Sequence, residues 1–196
     1  MDRGETIHAV RTGGMRTEAT YPWDLTELAA SLLAAGLVEE PKRRDGVFVD
    51  EAASVHPAAT LRPPVAVAAD AVVGPGAVVG PDVAVGRNTT VEANATVRRC
   101  VLDVDTRIGA GSVVTDSVTG QGAELSSGVT VPGGPGDVRI GTTVHEDRAL
   151  GCVVSDRAVL GGGVTVDPGT LVGPDARVGH GVSLHDNVDA DAEVRR

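Results

Sequence analysis

The chain has 196 residues and a formal net charge of -10, with 27 acidic against 17 basic side chains and Lys42 as its only lysine. So acidic a surface argues against binding nucleic acid or an anionic membrane by general electrostatics; it suits solubility, or the Asp-rich, Lys-poor chemistry of proteins from salt-loving organisms. With one Trp, one Tyr and one Phe, the core has to be built from Val, Leu, Ile and Ala.

Residues 1 to about 20 are polar, with a turn at Gly13-Gly14 and one short strand expected at Ile7 to Val10. Asp24 is placed to cap a helix, Glu27 follows three residues later as its capping-box partner, and Trp23 with Leu28 has the spacing of a hydrophobic staple. Leu25, Leu28, Ala29, Leu32 and Leu33 make one apolar stripe that Gly36 ends, which predicts an amphipathic helix over about 24–36. The run EEPKRRDG then makes 37–54 a charged turn or linker. Lys42 to Arg44 could contact a phosphate, but Glu39, Glu40 and Asp45 beside them favour a solvated connection. Residues 1–54 are thus read as an N-terminal extension.

From Val55 a six-residue period takes over. Val55, Leu61, Val67, Val73, Val79, Val85, Val91 and Val97 recur without a slip, and Val154, Leu160, Val166, Val172, Val178 and Leu184 repeat the pattern. Helices repeat near 3.6 and single strands at 2, so a period of six marks a solenoid of short strands. Small or β-branched residues stand two positions before the aliphatics, as at Ala71, Ala77, Thr89 and Ser112. Glycine commonly follows, as at Gly74, Gly86 and Gly109, where the chain must turn. Three units close a triangular coil of about 18 residues, and residues 55–196 form this domain.

The period shortens after Val97 and again after Val114, and it disappears between Val131 and Val154. A backbone of that length has to leave the stack, so an excursion is expected at about 132–153, on one face and in a position to bind. The final VDADAEVRR gives the last open edge a polar end. Cys100 and Cys152 lack metal-ligand or CxxC spacing and read as small buried residues. His56 reads as structural, while His180 and His185 read as solvent-facing turn residues with no third ligand nearby, so no metal is expected. Asn88 and Asn94 suit left-handed turns. MDRGETIHAV lacks an apolar core, and no stretch is long and apolar enough to span a bilayer, so a cytoplasmic protein without nucleic-acid or membrane partners is the expectation.

With the hexads in place, the chain resembles the hexapeptide-repeat acyltransferases. That resemblance implies an all-β solenoid, a left-handed parallel β-helix with a short N-terminal helical segment, acting as a homotrimer on acyl-CoA. More narrowly, TYPWDLTELAASLL and the repeats after SVHPAA resemble the linker helix and acetyltransferase domain of archaeal-type bifunctional sugar-1-phosphate nucleotidyltransferase/acetyltransferases. The Gly-rich loop of their nucleotidyltransferase is not found here. The resemblance implies transfer of an acetyl or other acyl group from acyl-CoA to a sugar phosphate or nucleotide sugar.

Carried over residue by residue, the family's general-base histidine falls on Ala110 in RIGAGSVVTDS, its tyrosine on Val113, its acceptor-binding Arg on Gly80 and its Asn on Gly133. Arg98 falls where a phosphate-contacting Lys is expected, and LGCVVSD places Gly151 and Cys152 in the acyl-CoA cleft. Because acyl transfer needs a base near neutral pH, His145 in the excursion, followed by Glu146, is the expected replacement. The alternative is a non-catalytic trimerising or regulatory subunit that docks a separate sugar nucleotidyltransferase through the helix.

Overall fold

A computed structural model describes residues 19–195; the strand and turn expected at Ile7 to Val10 and Gly13-Gly14 lie outside the described residues. The chain winds into a parallel β-solenoid of about 8 turns with three flat faces. The first face stacks Val47–Val49, Val65–Val67, Val83–Val85, Cys100–Leu102, Val118–Thr119, Cys152–Val154 and Thr170–Val172. The second face runs from Ser54–Val55 to Glu193–Val194, and the third from Thr60–Leu61 to Ser183–Leu184.

The six-spaced aliphatics all point inward and form one continuous core, fully buried from Val73 through Val172 apart from one polar substitution. That substitution is Thr119, whose hydroxyl pairs with Thr106 Oγ1 at 2.9 Å and accepts the Asp103 N–H at 3.1 Å. Ala71, Ala77 and Ala95 fill tight corners at zero exposure. Thr89 and Ser112 fill two more and donate their hydroxyls to the carbonyls of Asp103 and Ser126, so the buried polar groups there are satisfied. The shortened period is a real change of coil size: Val73 pairs with Val91 eighteen residues on, and Val91 with Ile108 seventeen on.

The charged stretch 37–54 is not merely a linker. Lys42–Arg44 pairs antiparallel with Val47–Val49, and Val47–Val49 is buried as the first rung of the first face. Lys42 to Arg44 are exposed; Lys42 pairs with Asp45 at 2.7 Å, and an Arg44 guanidinium N–H donates to the Leu61 carbonyl at 2.6 Å.

The helix spans Pro22–Ala35, and Asp24 does not cap it in the expected way. Pro22 takes the first helical position, where a missing N–H costs nothing. Asp24 lies in the first turn and reaches back, accepting the N–H groups of Thr20 at 2.8 Å and Tyr21 at 2.9 Å. Gly36, at φ 67°, ends the helix as expected; its N–H donates to Leu33 O and that of Leu37 to Leu32 O, a left-handed closure that glycine allows without strain. The helix lies across the first face. Leu33 packs on Phe48 and Ala66, and Trp23 on Val138 and Leu150, whereas Leu25, expected within the apolar stripe, is exposed. No helix among the described residues is long and apolar enough to cross a membrane.

The three faces differ outside. The first is covered by the helix and by the excursion. The second presents Arg107, Glu124, Arg177 and Glu193. The third presents Thr60, Val78, Thr96, Val113, Thr130, Thr165 and Ser183, an uncharged column, with Arg98 exposed at the end of the strand Thr96–Arg98.

Candidate active site

Strand register places Arg62, Gly80, Arg98, Thr115, Pro132, Asp167 and His185 at or just past the ends of the third-face strands of successive coils. They line one corner of the prism. The excursion leaves the stack at this corner, between Pro132 and Asp167. It is a twisted antiparallel hairpin of Pro135–Ile140 and Thr143–Ala149, with Gly141 at φ 59° in its tight turn. Val138 and Leu150 are fully buried against Trp23, with Val153 and Leu171 of the first face beneath them. Helix, hairpin and solenoid therefore share a small satellite core.

Asp116 holds both ends of the hairpin. Its carboxylate accepts the Gly134 N–H at 2.8 Å, and its backbone carbonyl accepts the Gly151 N–H at 2.6 Å. The guanidinium of Arg99, one coil earlier, grips the same carboxylate with two nitrogens, Nη2 lying 2.8 Å from Oδ2. Burial pushes the Asp116 carboxyl up, but the Arg99 hydrogen bond, the Gly134 N–H and the charges of Arg99 and Arg98 outweigh it and hold the group below its ordinary value. It is therefore an anionic anchor at neutral pH.

Behind the hairpin a cleft of about 480 Å³ opens between Asp137, Arg139 and Val144 on one side and Pro168–Thr170 with His185, Asp186 and Asn187 on the other. Its size is within the range of small-molecule sites. Asn187 fastens its floor, donating to the Arg139 carbonyl at 2.9 Å and accepting the Leu171 N–H at 2.9 Å. At its rim His185 Nδ1 meets Asp167 Oδ2 at 2.7 Å. That hydrogen bond, then the Asp167 charge, raises the imidazole pKa despite a small opposing effect of desolvation, and Asp186 adds to the rise.

The residues proposed from sequence do not converge here. His145 is half-buried on the hairpin, against the rings of Tyr21 at 4.7 Å and Trp23 at 5.2 Å between centroids. These contacts, with Arg148 over Trp23 at 5.4 Å, make it part of the seam between helix and hairpin. Arg98 is exposed at the corner, and its carbonyl accepts the Asp116 N–H at 3.1 Å.

Gly151 and Cys152 lie inside the stack. Cys152 has zero exposure, its N–H donates to Ser117 Oγ at 3.2 Å, and burial pushes its thiol up to about 12, as it does that of Cys100. A Cβ on Gly80, at φ 104°, would collide with the Arg62 carbonyl, and one on Gly133 would meet Asp116 Oδ2 at 2.5 Å. The positions that resemblance assigned to an acceptor-binding Arg and Asn thus have no room for side chains. Ala110 donates its N–H to Glu92, which also pairs with Arg107, and Val113 is half-exposed on the third face. Among the described residues no cluster of three or more His, Cys, Asp or Glu side chains is placed to hold a metal.

His185 reads from sequence as a solvent-facing turn residue and Asp167 carries no local motif, yet the pair does carry a signal. They occupy the same position of consecutive coils, eighteen residues apart, so a side chain on one is stacked on the other.

Residues 61–148 match the family model described as the GMPPB C-terminal domain; no curated protein matches. Among solved structures, a hexapeptide transferase family protein from Anaplasma phagocytophilum is 20% identical, with a TM-score of 0.44 over 75% of this chain and 72% of that one. A perosamine N-acetyltransferase variant from Caulobacter crescentus, in complex with CoA and GDP-perosamine, is 19% identical at TM-score 0.37, and the alignment covers 75% of this chain and 51% of that one. AntD, an N-acyltransferase from Bacillus cereus in complex with dTDP and coenzyme A, is 13% identical at TM-score 0.46 over 74% and 73%. Likeness at this level assigns no activity.

Proposed function

We propose that this hexapeptide-repeat β-solenoid, with its match to the GMPPB C-terminal domain at residues 61–148, transfers an acyl group from acyl-CoA to a sugar phosphate or nucleotide sugar. The observation that carries the reading is the cleft of about 480 Å³ between the hairpin and the last coils, with a carboxylate-paired histidine at its rim. Acyl transfer needs a concave site that orients an acceptor and a base to remove its proton, and this cleft combines the two. Arg98 and Arg62, exposed on the same corner, offer positive charge to an acceptor phosphate. Gly151 and Cys152 serve by closing the backbone under the hairpin rather than by lining a pantetheine tunnel with side chains. Calorimetric titration with acetyl-CoA tests the reading: it requires saturable heat.

The third face, whose strands are uncharged apart from Arg98 at its corner, supports a homotrimer. A flat Thr, Val and Ser column whose one charge within the strands, Arg98, stands at the corner suits self-association, and three prisms can meet through that column while leaving the hairpin corner open. Sedimentation velocity is expected to give three times the mass of the chain; a monomer at micromolar concentration would end this part of the proposal.

The crowded positions at Gly80 and Gly133, together with Ala110, favour a second reading, a non-catalytic subunit that partners a separate sugar nucleotidyltransferase. Among the described residues the helix and its flanks offer such a partner Tyr21, Leu25 and Leu37 as exposed large apolar side chains, because Trp23 and Leu33 are spent on the solenoid itself. Co-purification of a nucleotidyltransferase from native extract, without acetyl-CoA binding, would select this reading over the first.

A further inference from the structure

We propose that His185, oriented by Asp167, is the general base of the transfer, replacing the histidine whose place the resemblance assigns to Ala110. The inference rests on the acyltransferase reading. It takes its support from two features of the cleft and from the position of His145. The Nδ1 of His185 is engaged by Asp167 Oδ2 at 2.7 Å, which fixes the ring and leaves Nε2 without a partner among the described residues. The imidazole lines a cleft in which hairpin and solenoid face each other across open space. His145 is held instead between Tyr21 and Trp23.

The remaining groups suit a polyhydroxylated acceptor. Arg139, Asp137, Asp186 and Asn187 line the same cleft with planar donors and acceptors of the kind that bind vicinal hydroxyls. In the step, the acceptor O–H or N–H gives its proton to Nε2 while the oxygen or nitrogen attacks the thioester carbonyl carbon. The tetrahedral intermediate collapses by breaking the C–S bond, and the departing CoA thiolate takes the proton back from Nε2. Acyl–acceptor and CoA–SH are the products, and no oxidant or metal is needed. The charged groups that act on the ring are Asp167 and Asp186 from the solenoid, and Asp137 and Arg139 from the hairpin line the same cleft. Because Asp167 raises the imidazole pKa, the ring is a stronger base, and it is in its active, neutral form only above that raised value.

The test uses thiol release from acetyl-CoA by the full chain, with nucleotide sugars bearing free hydroxyl or amino groups as acceptors, and with water as acceptor in their absence. His185→Gln, a change at an exposed side chain, is expected to leave the melting temperature and acetyl-CoA heat unchanged and to lower the rate at least about a hundredfold. Asp167→Asn is expected to keep part of the rate and to move the acid limb of the pH–rate profile downward, toward the ordinary histidine value. A full rate in His185→Gln, or an unmoved limb in Asp167→Asn, overturns the base assignment while leaving the acyltransferase reading in place. Absence of acetyl-CoA binding by the unmodified chain overturns both.

Discussion

Asp116→Asn is expected to detach the hairpin and to lower stability by about 3 kcal/mol. Breaking a buried pair by removing one charge typically costs roughly 3–5 kcal/mol, because the partner is left uncompensated. The low end applies here, since the Asp116 side chain is 5% exposed but that of Arg99 is 42% exposed and can recover some hydration. The amide also loses the charge-assisted acceptor for the Gly134 N–H. Urea denaturation gives the stability change, and hydrogen exchange gives its location: amides of 135–149 are expected to lose protection while the rungs at Val73 to Ile108 keep theirs. Arg157→Ala, which removes a guanidinium from the exposed pair with Asp175, is the control and is expected to change little.

The same anchor gives the fold an acid limit. A carboxyl whose folded pKa lies below its ordinary value of 3.8 stabilises the protein fully above that value, and the contribution is lost as pH falls through the lower folded value. Wild-type stability should therefore decline below about pH 4, and Asp116→Asn should flatten that part of the decline. An unchanged acid limb in the variant would show that Asp116 is not the group responsible.

Gly151→Ala is expected to be at least as damaging. The added Cβ would be driven into the Thr115 carbonyl oxygen and would stand 2.7 Å from Ser117 Oγ and 3.0 Å from Val131 Cγ1. None of these can move freely, because Ser117 Oγ donates to Thr115 O at 2.8 Å and accepts the Cys152 N–H. Overpacking of this kind typically costs about 1–3 kcal/mol and more where backbone is struck, so a loss of at least about 3 kcal/mol is expected in thermal or urea unfolding. A variant with native stability but weakened acetyl-CoA binding would instead return Gly151 to the cofactor-lining role that the resemblance implied.

What the sequence disclosed follows from how each feature is encoded. The prism was legible because its signal is a long-range period: every sixth residue from Val55 to Val97 faces one core, and no local propensity imitates that. The first rung was missed although Val49 lies six residues before Val55, because the charged run from Glu39 to Asp45 suggested a linker. The hairpin was legible as an excursion but not as two strands. Its alternation is broken by the register shift between Gly136 and Val138, and its inward residues are shared with a helix more than a hundred residues away. The site was the least legible, since matching by family position led to Ala110, Gly80 and Gly133. Asp167 with His185, and Arg99 with Asp116, become pairs only when the chain is counted coil by coil. The spacing of one coil, eighteen residues or seventeen where the coil is short, is what brings such side chains together.

Isothermal titration of the full chain with acetyl-CoA tests the central claim most directly, because it asks for the co-substrate before any acceptor is known. The account predicts saturable binding that His185→Gln leaves intact; absence of heat at millimolar acetyl-CoA would contradict it.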